Sequence, residues 1–147
     1  MKKKVLINIR GIQYYDDDKE VVELTTVGRF YRQNGSYYIS YDESEATGFE
    51  GSKTTLKVED DGRVTMLRSG PNSSQLIIEQ GTRHQCQYET DYGNLIMGVS
   101  GSKVSSSLSD TGGDLNFKYT LDFNASMASE NEVFVSVKEQ KKAEDKA

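Results

Sequence analysis

The chain carries one histidine and one cysteine, and they stand two residues apart, as His84 and Cys86 in TRHQCQYET. A cysteine nucleophile activated by histidine needs the sulfur within hydrogen-bond reach of the imidazole. Arg83, Gln85, Gln87 and Glu89 alternate with His84, Cys86 and Tyr88, which marks a β-strand with one polar and one inward face. Same-face neighbours on a strand stand ~7 Å apart along the backbone. The pair therefore reads as a hydrogen-bonded His beside a buried Cys that packs as a small hydrophobe. Zinc wants three or four ligands, and these residues supply two. Asp16-Asp17-Asp18 is contiguous, whereas a calcium loop spaces its ligands at alternate positions, so this run reads as a solvated acidic loop. Paired carboxylates for glycoside hydrolysis give no specific signal, Glu23 being the one acidic residue near a candidate inner face if Gly28 reverses that strand's register. No glycine loop leads into a helix to cradle phosphate. The expectation is no catalytic residue, no metal and no cofactor: a protein that is not an enzyme.

Binding chemistry has more material. There are nine Tyr and five Phe, with no Trp. Tyr37, Tyr38 and Tyr41 cluster in one segment, and Tyr119 shares the apolar side of another. Inward tyrosines among Leu, Met and Phe line a binding cavity, or equally fill a core with a polar end. In RVTMLRSG, Arg68 shares the face of Val64 and Met66. Arginine cannot shed its charge, so an inward Arg68 must meet a carboxylate, donate hydrogen bonds to Tyr or carbonyl oxygens, or emerge at a mouth. It is read either as a structural residue at a strand end or as the anchor for a ligand's anionic or polar head. The candidate ligand-pocket set is Arg68, His84, Tyr88, Tyr119 and Tyr41.

The elements that must position these residues are strands. In DLNFKYTLDFN, Leu115, Phe117, Tyr119, Leu121 and Phe123 fall on one face and the polar residues on the other, the pattern of a half-buried antiparallel strand. The same parity runs through Val5/Ile7/Ile9, Ile39/Tyr41, Leu56/Val58, Leu95/Met97/Val99 and Val133/Val135/Val137. Asn34-Gly35, Asp61-Gly62, Gln80-Gly81 and Gly112-Gly113 punctuate these runs, several as tight hairpin turns. The periodicity predicts strands at 3–13, 20–32, 36–44, 53–60, 62–69, 74–80, 82–90, 94–104, 113–124 and 131–138. Gly28 suggests a bulge or bend within a long strand. Residues 1–138 form a single all-β domain, and 139–147 a charged, disordered tail. A hairpin meander of this size curls up to remove its edges, so the expected fold is a closed antiparallel barrel of about eight to ten strands. The alternative is a two-sheet sandwich.

Composition agrees and excludes. The 147 residues carry a net charge of −5, and 23 carboxylates outnumber 18 Lys and Arg, so nucleic acid is not an expected partner. Nor is a membrane, since no apolar run approaches ~18 residues. After MKKK the apolar stretch is only Val5-Leu6-Ile7, too short for a secretory leader and read instead as a strand. A lone Cys admits no internal disulfide, and a cytoplasmic location is expected.

VLINIRG (5–11), GRFYRQNGSYYISYDESEATG (28–48), TMLRSG (65–70) and ETDYGNLIMGV (89–99), in order over residues 3–138, resemble the YwiB-like family of small uncharacterised bacterial proteins. The resemblance implies a calycin-like β-barrel of the lipocalin and streptavidin type, and no reaction or ligand residues. The Trp signatures of lipocalins and avidins are absent, and no Arg follows Arg83 to match the Arg-x-Tyr of fatty-acid-binding proteins. The expected function is thus binding of a small apolar or amphipathic molecule inside the barrel. The alternative is a non-enzymatic interaction or oligomerisation module with a packed core, and homo-oligomerisation is left open.

Overall fold

Period-two patterning carries through to the backbone almost everywhere. The structure, a computed structural model, describes residues 2–44, 50–60, 62–71, 73–90, 93–123 and 126–139. Among them form β1 (Lys3–Tyr15), β2 (Asp18–Gln33), β3 (Ser36–Asp42), β4 (Lys53–Glu59), β5 (Arg63–Ser69), β6 (Ser74–Glu79), β7 (Arg83–Thr90), β8 (Gly93–Ser106), β9 (Gly112–Phe123) and β10 (Ser126–Glu139). Each strand lies antiparallel to the next, and β10 returns to β1 to close a barrel. The meander thus closes as its pattern implies. Asn34 (φ 54°) and Gly35 (φ 84°) take the left-handed conformations that a two-residue hairpin demands.

Register turns parity into interior rows. Tyr37, Val58, Val64 and Ile78 pair across β3–β6, followed by Ile39, Leu56, Met66 and Leu76, then Tyr41, Thr54, Arg68 and Ser74. The first two rows join Val5, Ile7, Phe30, Leu115 and Phe117 in an apolar core. The third begins a polar zone towards one end. Interior packing alone thus divides the barrel into a solid half and a polar half.

Four expectations shift. The acidic run is a two-residue turn at 16–17 with Asp18 already in β2, because Asp16 adopts φ 51° and lets β1 and β2 meet tightly. Phe123 is 40% exposed although its parity is that of Leu115 and Phe117, because it ends β9 beside the hairpin to β10. Gly28 makes no bulge against β1, whose pairing with β2 is unbroken. Instead it marks where β2 leaves β3: β3 pairs only with residues 29–33 of β2. A Cβ at Gly28 would sit 2.3 Å from the Ser40 carbonyl oxygen and 2.5 Å from Ile7 Cδ1, so only glycine lets the strands cross there. Glu139 belongs to β10, paired with Val5 and bridged to Lys3 at 2.6 Å, one residue beyond the expected domain boundary. The remainder of the expected tail, 140–147, lies outside the described residues.

The other register irregularities lie in β8 between Gly101 and Lys103 and in β10 between Met127 and Ser129. One seam is thin. β6 and β7 share a single register pair, Ser74 with Tyr88, plus a bridge at their turn between Glu79 and Thr82.

Candidate functional site

Inward parity continues past the end of β3. Tyr41 points into the barrel, and so does Glu43, held there because its N–H donates to the Ser52 carbonyl at 2.8 Å and prolongs the β3–β4 pairing. Thr54, fully buried and opposite Tyr41, donates its hydroxyl to Glu43 Oε2. Arg68, opposite Thr54, brings Nη2 to 3.5 Å from the same oxygen. The Arg68 side chain is 11% exposed and that of Glu43 2%. A charge so enclosed is stable only when paired and hydrogen-bonded, and these two answer each other.

Tyr41 completes the cluster beside Thr54 and Glu43. Burial first, then the Glu43 charge, pushes its phenol well above the ordinary tyrosine range, against the opposing pull of Arg68. The phenol is therefore a proton donor throughout the physiological range. A second polar pair, Asn131 and Ser129 on β10, is buried as well, with Asn131 Nδ2 donating to Ser129 Oγ at 3.0 Å.

Beside this collar lies a cavity of about 380 Å³. Ile9, Val22, Leu24, Met66, Tyr119 and Val133 give it apolar walls, while Tyr41, Glu43 and Arg68 form its polar side. It sits where β2 and β3 part, so the divergence at Gly28 provides the space. The volume falls within the range of small-molecule sites, and apolar walls with a few convergent polar groups are their usual composition.

Of the five candidate residues, Arg68, Tyr41 and Tyr119 line this cavity. His84 does not: it sits at the opposite end of β7, where its Nε2 meets Glu79 Oε1 at 2.8 Å. The side chain of Tyr88 lies outside the described residues. Glu43 is the member the sequence reading missed, although it is simply the next residue of the Ile39/Tyr41 parity. Cys86 is buried, accepts a hydrogen bond from Ile77 N–H at 3.4 Å, and burial raises its thiol above the ordinary range. Its nearest chemistry is that backbone amide, not His84. Among the described residues no three His, Cys, Asp or Glu side chains are grouped to hold a metal. No helix of the described residues is long and apolar enough to cross a membrane.

A family model described as "Domain of unknown function (DUF1934)" matches residues 7–135. The chain belongs to the DUF1934 family. Within reach of this DUF1934 domain is the "Uncharacterized beta-barrel protein YwiB" of Bacillus subtilis (strain 168), 26% identical over 117 residues that span 80% of each chain. The crystal structure of the ywiB protein from Bacillus subtilis superposes with a TM-score of 0.82 at 20% identity, covering 95% of this DUF1934 chain and 94% of that one. The likeness establishes the barrel fold. It also agrees with the resemblance carried by the sequence segments around Gly28, Arg68 and Gly93.

Proposed function

We propose that this barrel is a binding protein, not a catalyst, and that it holds a small amphipathic molecule in the cavity between β2 and β3. The observation that carries this reading is the pairing of an apolar-walled space of about 380 Å³ with the Tyr41–Glu43–Thr54–Arg68 collar on one side. A filled core would leave no such space. The ligand's apolar body packs against Leu24, Met66 and Val133, and its polar end meets the collar. The lone Cys86 and the acidic surface support a cytoplasmic protein with neither nucleic acid nor membrane as partner.

The test combines two measurements. Native mass spectrometry of the protein from its own host should show a retained small mass. Titration with an uncharged environment-sensitive dye such as Nile red should saturate at one site, and Leu24→Trp and Val133→Trp, which fill the space, should each abolish it while the barrel stays folded. Undiminished dye binding in both filled variants would overturn the assignment of the cavity.

A further inference from the structure

The cavity grades from apolar to polar along the barrel, and cross-strand register sets the steps. Leu24, Ile9 and Val135 share a row next to the core, Val22, Gly11 and Val133 the next, and Glu20, Gln13 and Asn131 the one nearest the β1–β2 turn. Asn131 pairs in turn with Tyr119 of β9, so this last row sets two amides and a phenol side by side, all three lining the cavity. The collar adds charges that cancel: Arg68 and Glu43 meet at 3.5 Å, and Glu43 also receives the Thr54 hydroxyl. Glu132 lies on the outward face of β10, opposite Lys118. Glu20 is the charged side chain of the row, and it stands exposed to water at the rim, where its field is screened. The polar end of the cavity is therefore rich in hydrogen-bonding groups and close to electrically neutral.

From this gradation we propose that the cavity takes molecules whose apolar body ends in an uncharged hydrogen-bonding head, a hydroxyl or a carboxamide, and that Gln13 and Asn131 recognise that head. The inference rests on the binding role proposed above and names the class of molecule bound. A carboxylate or an ammonium must shed its water on entering, and the enclosed charges that would answer it already hold each other. A hydroxyl or amide asks only for a donor and an acceptor. Asn131 commits its Nδ2 to Ser129 at 3.0 Å and so presents its amide oxygen as the acceptor. Gln13, half-buried beside it, supplies both an N–H donor and a carbonyl oxygen. The apolar body then runs from this row past Val22 and Val133 to Ile9 and Leu24.

The experiment displaces bound Nile red with octanol, octanoate, octylamine and octyl chloride near neutral pH, each below its aggregation threshold. The wild-type protein should bind the alcohol about tenfold or more tightly than either ion, at low salt and at ~0.5 M salt alike. Any dry pocket shares that ranking, so the amide row is read from the alcohol against the chloride, which matches it in length and lacks the hydroxyl donor. In Gln13→Leu/Asn131→Leu the ratio of alcohol to chloride affinity should fall about tenfold. Gln13→Leu alone, which leaves the Asn131–Ser129 hydrogen bond in place, should move the ratio the same way by a smaller factor. The ratio compares two ligands in one protein and so does not depend on how tightly that protein holds the dye. An ion that binds the wild type as tightly as the alcohol, or a ratio unmoved in both variants, would overturn the neutral-head preference and leave the binding role intact. Failure of Nile red itself to bind would overturn the binding role, and this inference with it.

Discussion

Removing the Arg68 side chain tests the collar most sharply. In Arg68→Leu, Glu43 keeps its Thr54 hydrogen bond but loses its countercharge at 2% exposure. At 3.5 Å and an effective dielectric of ~20, the Coulomb term between the two is about 5 kcal/mol, and breaking an enclosed pair from one side typically costs ~3–5 kcal/mol. For a chain of 147 residues, an unfolding entropy of ~0.3 kcal/mol/K translates 3 kcal/mol into a fall of about 10 °C in Tm. Glu43→Leu, which takes the carboxylate from beside the guanidinium instead, should also destabilise the fold. Arg68→Leu/Glu43→Leu removes both charges at once, so it should be less damaging than the sum of the singles by ~2–4 kcal/mol. Urea titrations followed by circular dichroism measure all three. Singles that add up in the double variant, with no coupling between them, would refute the collar as an interdependent unit.

Three further expectations concern the scaffold. Gly28→Ala should destabilise by ~1–3 kcal/mol, because its Cβ would press on the Ser40 carbonyl and Ile7; an unchanged urea midpoint would show that β2 and β3 can separate freely. Phe117→Ala should cost ~3–5 kcal/mol and Phe123→Ala less than ~1, although the two share a strand face, since one is fully buried and the other 40% exposed; equal melting temperatures would contradict the barrel's depth profile. Tyr41 keeps its proton in the fold at a pH where the unfolded chain releases it. Its contribution is thus fully present below the ordinary tyrosine range, and stability should fall by up to ~1.4 kcal/mol per pH unit above about pH 10. Tyrosinate absorbance should show Tyr41 titrating only with unfolding, and titration in the native state would refute its enclosure.

Parity was the legible quantity in this sequence, and depth was not. Alternation placed Arg68 on the face of Met66, Tyr41 on that of Ile39 and Tyr119 on that of Phe117, and all three line the cavity. It also put His84 on the same inward face of β7 as Cys86, yet nothing in a period of two says how far along the barrel axis a residue lies. His84 opens β7 at the turn with β6, whereas the collar lies level with the other end of that strand. Phe123 misled in the same way, by sitting at a strand end. Glu43 was passed over because an acidic residue following an apolar alternation resembles the start of a loop. The Ser52 carbonyl, just before β4, holds its backbone in line with β3. The parting of β2 from β3 is encoded in Gly28, but a lone glycine in a strand signals close approach without saying of what.

A ring of strands resists prying only as well as its poorest joint, and here that joint is β6 against β7. It is fastened at two clasps, Ser74 with Tyr88 and the bridge between Glu79 and Thr82 at the turn. Between them the Ile77 amide rests on a sulfur instead of a carbonyl. The adjoining cleft, about 530 Å³, reaches from exposed Gln75, Gln85 and Gln87 through to Arg68. Breathing of the wall therefore starts at this line, where fewest backbone bonds must break, and the amides of Gln75 and Ile77, which face β7, exchange with solvent ahead of those in β1 and β9. When the joint gapes it uncovers two raw strand edges side by side. The same fault line that wets the guanidinium from behind is where two crowded copies would first knit together.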